Sequence, residues 1–235
     1  AFSMHVVMLL LLCTGSARAA ELWSSEDGEQ LLTLDTAFKV GAFLSRNPDD
    51  RILYPSRTSA LGLSRVRLDL NMRFDRFANA LLAYEVSGRW ASRDNAFGGL
   101  GVLPSVGDPP WRITPLFDDV HEGDRTIAFH ELDRALIALH PGWGEVTIGR
   151  QAIGLGRGVL FSAVDVFAPF SPLEVDREWR RGVDAARVEV RLSPTTSVEG
   201  VGVFGNSMDD SAFFLRGRGY IGPLDAELLG GKRAE

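Results

Sequence analysis

The chain has 235 residues, with 25 Lys and Arg against 31 Asp and Glu, a formal charge of −6 and a single cysteine. The acidic balance excludes the basic footprint of a nucleic-acid binder, and one cysteine excludes both a disulfide framework and a cysteine-rich zinc site. Past the N-terminus there is no run of about 18 apolar residues, so a helical membrane span is excluded and only strands could cross a bilayer.

From Met4 the chain reads Met-His-Val-Val-Met-Leu-Leu-Leu-Leu-Cys-Thr-Gly-Ser-Ala-Arg-Ala-Ala. The apolar run Val6 to Leu12 is too short to span, and Ala17-Arg18-Ala19 has the form of a secretory cleavage site. Residues 1–19 therefore read as an export signal peptide, although no Lys or Arg precedes the apolar stretch. The other reading is an N-terminal strand or helix packed into the fold. Leu12 stands before Cys13 where a lipoprotein site takes Gly or Ala, which argues against lipidation. Residues 20–30 then form a short periplasmic segment and 31–235 the folded unit.

The dominant signal after the leader has period two. In 65–74 (Arg-Val-Arg-Leu-Asp-Leu-Asn-Met-Arg-Phe) every even position is apolar and every odd one polar, which puts one face of a strand on apolar surroundings and the other on water. Residues 80–90 and 184–192 repeat it, and weaker versions occupy 31–45, 125–140, 144–153, 196–205, 212–221 and 225–233. The expectation is an all-β chain of about nine strands with no helix.

Most of these segments approach the 9–11 residues that a membrane-barrel strand needs, against five or six for a sandwich. The connections alternate. Those at 75–78, 141–143, 194–195 and 222–224 are short, whereas 46–59, 91–124 and 154–182 are long and a smaller loop surrounds Asn206 to Asp210. Tight periplasmic turns opposite long outer loops are the pattern of an antiparallel transmembrane β-barrel. In such a barrel the polar strand face lines the lumen. That face comprises Arg65, Arg67, Asp69, Arg73, Glu85, Arg89, Arg187, Glu189, Arg191, Glu199, Arg216, Arg218 and Glu227. An ordinary solvated strand face would carry the same charges. The phase is unbroken in 65–74 and 184–192, and ambiguous around Arg134 and Arg150. Phe74, Phe77, Trp90, Trp143 and Tyr220, near strand ends, suit interfacial aromatic girdles.

The most distinctive stretch runs from Arg150-Gln151-Ala152-Ile153-Gly154-Leu155-Gly156-Arg157-Gly158 through Asp165-Val166-Phe167-Ala168-Pro169-Phe170-Ser171-Pro172 to Asp176-Arg177-Glu178-Trp179-Arg180-Arg181-Gly182-Val183-Asp184. Its glycines lack both G-x-G-x-x-G spacing and a following G-K-[ST], which argues against a phosphate loop. A loop this rich in Phe and Pro is too apolar to hang in water and is expected to fold against the wall. Its charged end (Asp176, Arg177, Glu178, Arg180, Arg181, Asp184) would then ring a constriction and set ion preference. The alternative is a structural cap whose ion pairs only hold the loop in place.

This stretch, together with the closing Asp225-Ala226-Glu227-Leu228-Leu229-Gly230-Gly231-Lys232, resembles the bacterial outer-membrane porin-type β-barrels, a broad group of uncharacterised porin and export barrels. It is similar as well to the barrel component of porin–cytochrome electron conduits. The resemblance covers 125–233 well and 30–90 only generically. It implies a Gram-negative outer-membrane location, a many-stranded antiparallel barrel, and passive transport or a conduit role.

No site for catalysis or metal binding stands out. His130-Glu131 is followed by Leu132-Asp133 and so does not begin H-E-x-x-H; there is no G-x-S-x-G; and Asp118, Asp119, His121 and Glu122 read as a solvated acidic loop. The chain is therefore expected to be a non-enzymatic, cofactor-free outer-membrane channel, exported through its signal peptide, that passes small solutes or ions through an Arg-rich lumen. Its partners would be outer-membrane lipid, the solute, and a periplasmic or extracellular protein. The alternatives are a sheath barrel that houses a partner such as a multihaem cytochrome, an outer-membrane enzyme, and a soluble secreted β-protein. Nine strands is an odd number and no terminal aromatic closes the sequence, so the chain is expected to be the N-terminal part of a larger barrel.

Overall fold

The computed structural model describes residues 8–46, 58–92, 111–154 and 180–232. Eleven strands form one antiparallel sheet: β1 (Met8–Ser24), β2 (Gln30–Arg46), β3 (Thr58–Phe74), β4 (Ala78–Ala91), β5 (Phe117–Glu122), β6 (Thr126–Leu139), β7 (Gly144–Gln151), β8 (Val183–Ser193), β9 (Thr196–Val203), β10 (Ala212–Ile221) and β11 (Leu224–Lys232). The spatial order is β1-β2-β3-β4-β6-β7-β8-β9-β10-β11, with β5 beside β6 and off this path. Among the described residues there is no helix, and the sheet is open, with β1 and β11 at its edges.

All nine expected strands are present, and two more join them. β1 occupies most of the segment read as a leader and pairs with β2, Cys13 facing Val40, with register shifts between Ala17 and Ala20 and between Glu21 and Trp23. β5 lies inside the connection expected at 91–124. Five of its six residues are exposed and it has no apolar alternation, so it left no period-two signal. β5 forms because β6 has a free edge: Ala135–Leu139 pair with β7, but β7 ends at Gln151, and β5 pairs with Ile127–Glu131 in the vacated column. Several strands also exceed the expected length. β1, β2 and β3 have 17 residues each, which at about 3.3 Å per residue is more than the apolar height of a bilayer requires.

Five short connections, two- to five-residue turns at 25–29, 75–77, 140–143, 194–195 and 222–223, lie at one end of the sheet, and a sixth, 123–125 between β5 and β6, lies at the other. Asp75 adopts φ 54° in one and Gly222 φ 63° in another, both left-handed conformations open to Asp and Gly at tight turns. In the β1–β2 turn the Asp27 carboxylate accepts hydrogen bonds from Ser25 Oγ and the Glu29 amide, which hold it below the usual carboxylate range.

A flat single-layer sheet would expose both faces equally. Here the face carrying the charges is the buried one (Arg67 3 %, Glu85 5 %, Glu131 3 % exposed), while the opposite face leaves Val66, Leu82, Ile137, Ile148, Leu215 and Leu228 open. The sheet therefore coils around its charged face, in the sense that strand twist favours. At the loop end of β8–β10 that face turns apolar. Val183, Ala185, Val201, Val203 and Ala212 cluster with Trp111 and Ile153, and Phe214 and Leu229 pack against them.

Both ambiguous strands resolve. In β6, Ala83 faces Arg134 and Tyr84 faces Leu132, which leaves Asp133 as an extra residue. This bulge moves the inward positions from Phe129 and Glu131 to Arg134, Leu136 and Ala138. Arg134 thus lies on the charged face and is 7 % exposed, whereas Ile137 and Leu139 stay on the open apolar face. In β7, Arg150 continues the outward series Val146, Ile148 yet is only 3 % exposed. It fills the seam where β7 leaves the sheet: Nε meets Asp184 Oδ1 at 2.9 Å, Nη1 donates to the Leu132 carbonyl at 3.0 Å, and Nη2 donates to the Thr114 carbonyl. Gly149 beside it adopts φ 118°, and a Cβ there would stand 2.2 Å from the Ala135 carbonyl oxygen.

Candidate functional site

Strand register places every residue expected on the polar face on one and the same face of the sheet. Arg67 is level with Glu85 and Glu131 across β3, β4 and β6, and Arg216 is level with Glu199 and Glu189 across β10, β9 and β8. These side chains are not a row of separate charges. They form two ion-pair lattices, and Arg73 and Arg191 stand apart at the turn end, where Arg73 Nη2 donates to the Gly28 carbonyl at 3.2 Å.

The first lattice spans β3, β4 and β6. Arg65 Nε lies 2.9 Å from Glu85 Oε1. Arg67 reaches Asp69 Oδ1 at 2.9 Å, Glu85 Oε2 at 3.6 Å and Asp133 Oδ2 at 2.7 Å. Arg134 Nη1 meets the same Asp133 oxygen at 2.8 Å. Arg89 lies over the Phe129 ring, 5.5 Å from its centroid, a cation–π arrangement. The second lattice spans β8 to β11 and centres on Glu199, which is 2 % exposed and pairs with Arg187 through one oxygen and Arg216 through the other. Arg187 also reaches Glu189 at 3.5 Å, Arg218 meets Glu189 at 3.7 Å, and Arg216 meets Glu227 at 3.9 Å.

Burying an ion costs several kcal/mol unless a close partner and further hydrogen bonds offset it. Arg65, Arg67, Arg187, Arg216 and Arg218 each meet this cost with a carboxylate on another strand. The result is a buried face of fixed, largely compensated charge.

The sequence reading missed four members of the first lattice: Arg112, Glu131, Asp133 and Arg134. Arg112 Nη1 is 2.9 Å from Glu131 Oε2, Nη2 is 3.8 Å from Asp133 Oδ1, and Nε donates to the Gly182 carbonyl at 2.9 Å. The break in alternation at Leu132-Asp133-Arg134 was the one local signal, because an extra residue is what shifts the phase.

Of the residues expected at a constriction, Asp176, Arg177 and Glu178 lie outside the described residues. The other three are tied to the wall. Arg181 Nη2 pairs with Glu131 Oε2 at 2.7 Å, and the Arg180 carbonyl accepts from Arg134 Nη2. Asp184 is the second residue of β8, not part of a loop; it holds Arg150 and accepts the Ile113 amide at 2.8 Å. Of these three, Arg181 and Asp184 make ion pairs and Arg180 is held through its backbone carbonyl. Among the described residues no group of three or more His, Cys, Asp or Glu is placed to hold a metal ion.

No protein-family model, curated protein or solved structure matches this chain.

Proposed function

We propose that this chain forms the wall of an outer-membrane β-barrel of porin type, exported by its N-terminal segment, which lets small solutes or ions pass along an arginine-rich inner face. In this reading the short turns face the periplasm and the long connections face outward. The observation that carries it is the partition of the two faces. Phe38, Val66, Leu82, Ile137, Ile148, Val188, Leu215 and Leu228 stand open on one face, and the strand charges are gathered and paired on the other. In water so large an uncharged apolar face would drive aggregation, whereas in lipid it is the required surface and a charge there near mid-bilayer would cost about 2–4 kcal/mol.

The test is spin labelling of the full chain in phospholipid vesicles, at outward positions 66, 82, 148 and 215 and inward positions 69 and 189. Preferential collision with oxygen at the first set and with a water-soluble nickel chelate at the second is expected. Equal chelate access at both sets would overturn the membrane reading. Stepwise currents from the same preparation in planar bilayers test conduction, and their absence would favour a sheath or structural barrel.

A further inference from the structure

We propose that Glu131 is a double latch: one carboxylate that holds the two chain segments 111–116 and 180–184 against the inner face together and so limits passage along it. This rests on the channel reading given above. Glu131 Oε2 accepts both Arg112 Nη1 at 2.9 Å and Arg181 Nη2 at 2.7 Å, so a single oxygen joins segments that lie 69 residues apart in sequence. The Glu131 and Arg112 side chains are 4 % and 1 % exposed.

The segments are also tied to each other. Arg112 Nε donates to the Gly182 carbonyl at 2.9 Å, and the Gly182 amide donates to Asp133 Oδ1 at 2.8 Å. The Asp184 amide donates to the Trp111 carbonyl, and the Asp184 carboxylate accepts the Ile113 amide. Trp111 is set into the apolar cluster of Val183, Ala185, Val203 and Ala212 on the same face. The two segments therefore meet where β7 leaves the sheet, with Trp111 and Arg112 turned to the inner face and Ile113 and Thr114 bonded to Asp184 and Arg150. The carboxylate beneath them is a point where both can be loosened, because neutralising an acceptor shared by two guanidinium groups weakens the hold on each, while Arg112 keeps Asp133 Oδ1 at 3.8 Å.

The experiment compares wild type with Glu131→Gln and Arg181→Gln by amide hydrogen exchange of the full chain in detergent micelles, and by single-channel current in planar bilayers. In Glu131→Gln, exchange in 111–116 and 180–184 should rise together by about tenfold or more while β10 and β11 keep their protection, and the unit conductance should increase. Arg181→Gln, on a side chain 21 % exposed, should loosen 180–184 and leave 111–116 held through Arg112. If exchange in the two segments is unchanged in Glu131→Gln, or if they loosen with no change in conductance, the proposal is overturned. Should Glu131→Gln fail to fold, the one-sided response of Arg181→Gln decides, and loosening of both segments or of neither overturns it. A wild type that carries no current refutes the channel reading and with it the limit on passage; the exchange data then still decide whether Glu131 holds both segments.

Discussion

Arg67 on β3 donates from Nη1 to Oδ2 of Asp133 on β6 at 2.7 Å, spanning the full width of the intervening β4. Neighbouring strands stand about 4.8 Å apart, so the bond bridges roughly 10 Å of sheet, a reach that the long arginine side chain supplies. It also depends on the bulge that leaves Asp133 without a partner in β4. Both side chains are at most 4 % exposed. Asp133→Asn should accordingly lower the unfolding free energy by about 3–5 kcal/mol, the usual cost of stranding one member of a buried pair. The combined Arg67→Met, Asp133→Leu variant should recover part of the loss, the remainder being the cost to Arg134 and the Gly182 amide, which also lose the Asp133 carboxylate. Urea midpoints at constant slope for the full chain in detergent check both values, and a double variant no better than Asp133→Asn would mean that the pair does not carry the cost.

How far the sequence disclosed this arrangement follows from which contacts are local. The strand halves of both lattices were legible, because Arg65, Arg67 and Asp69, or Arg187, Glu189 and Arg191, recur every second residue and alternation alone puts them on one face. Their pairing was not, since whether Arg216 meets Glu199 depends on register between strands. The loop halves were hidden altogether. No periodicity links Arg112 to Glu131, 19 residues on, or Arg181 to Glu131, 50 residues back. β5 was hidden for a related reason: it is a strand by virtue of the free edge of β6, and its own residues carry no pattern.

A charge at the centre of the apolar face separates a bilayer from water. Val66 is the midpoint of β3, 41 % exposed, between Phe38 on β2 and Val86 on β4. Val66→Arg should reduce stability in phospholipid vesicles by about 2–4 kcal/mol. The same change on a solvated face would stay within about 0.5 kcal/mol. Folding titrations in vesicles give the figure directly, and a near-zero loss would place this face in water.

Glu199 offers a test of independence between the lattices. It serves Arg187 and Arg216 at once, and Glu199→Gln should cost about 3 kcal/mol or more because two guanidinium groups lose their shared countercharge. β9 lies three strand spacings from β6, about 14 Å, and Glu199 and Asp133 share no partner among the contacts described here. The losses in Asp133→Asn and Glu199→Gln should therefore add to within about 0.5 kcal/mol in the double variant. A larger departure would mean that the inner face responds as one coupled network.

Two glycines in different surroundings respond in opposite ways to one added methyl group. At Gly182 a Cβ would lie 2.0 Å from the Asp133 carbonyl oxygen and 2.8 Å from both Arg134 Nη1 and Arg150 Cγ. The nearest obstacle is backbone of the bulged strand, so relief would require moving the residue that holds Arg67 and Arg134. Gly182→Ala should cost at least about 1–3 kcal/mol through overpacking, with part of the loss appearing as faster exchange in 180–184. At Gly200, between Val188 and Leu215 on the open face, a Cβ meets nothing within 4 Å. Gly200→Ala should be neutral, or stabilising by about 0.4–1 kcal/mol through the lower entropy of the unfolded chain. Urea midpoints of the two variants settle the comparison. Equal losses would mean that the close approach of Gly182 to β6 is not what holds the start of β8 in place.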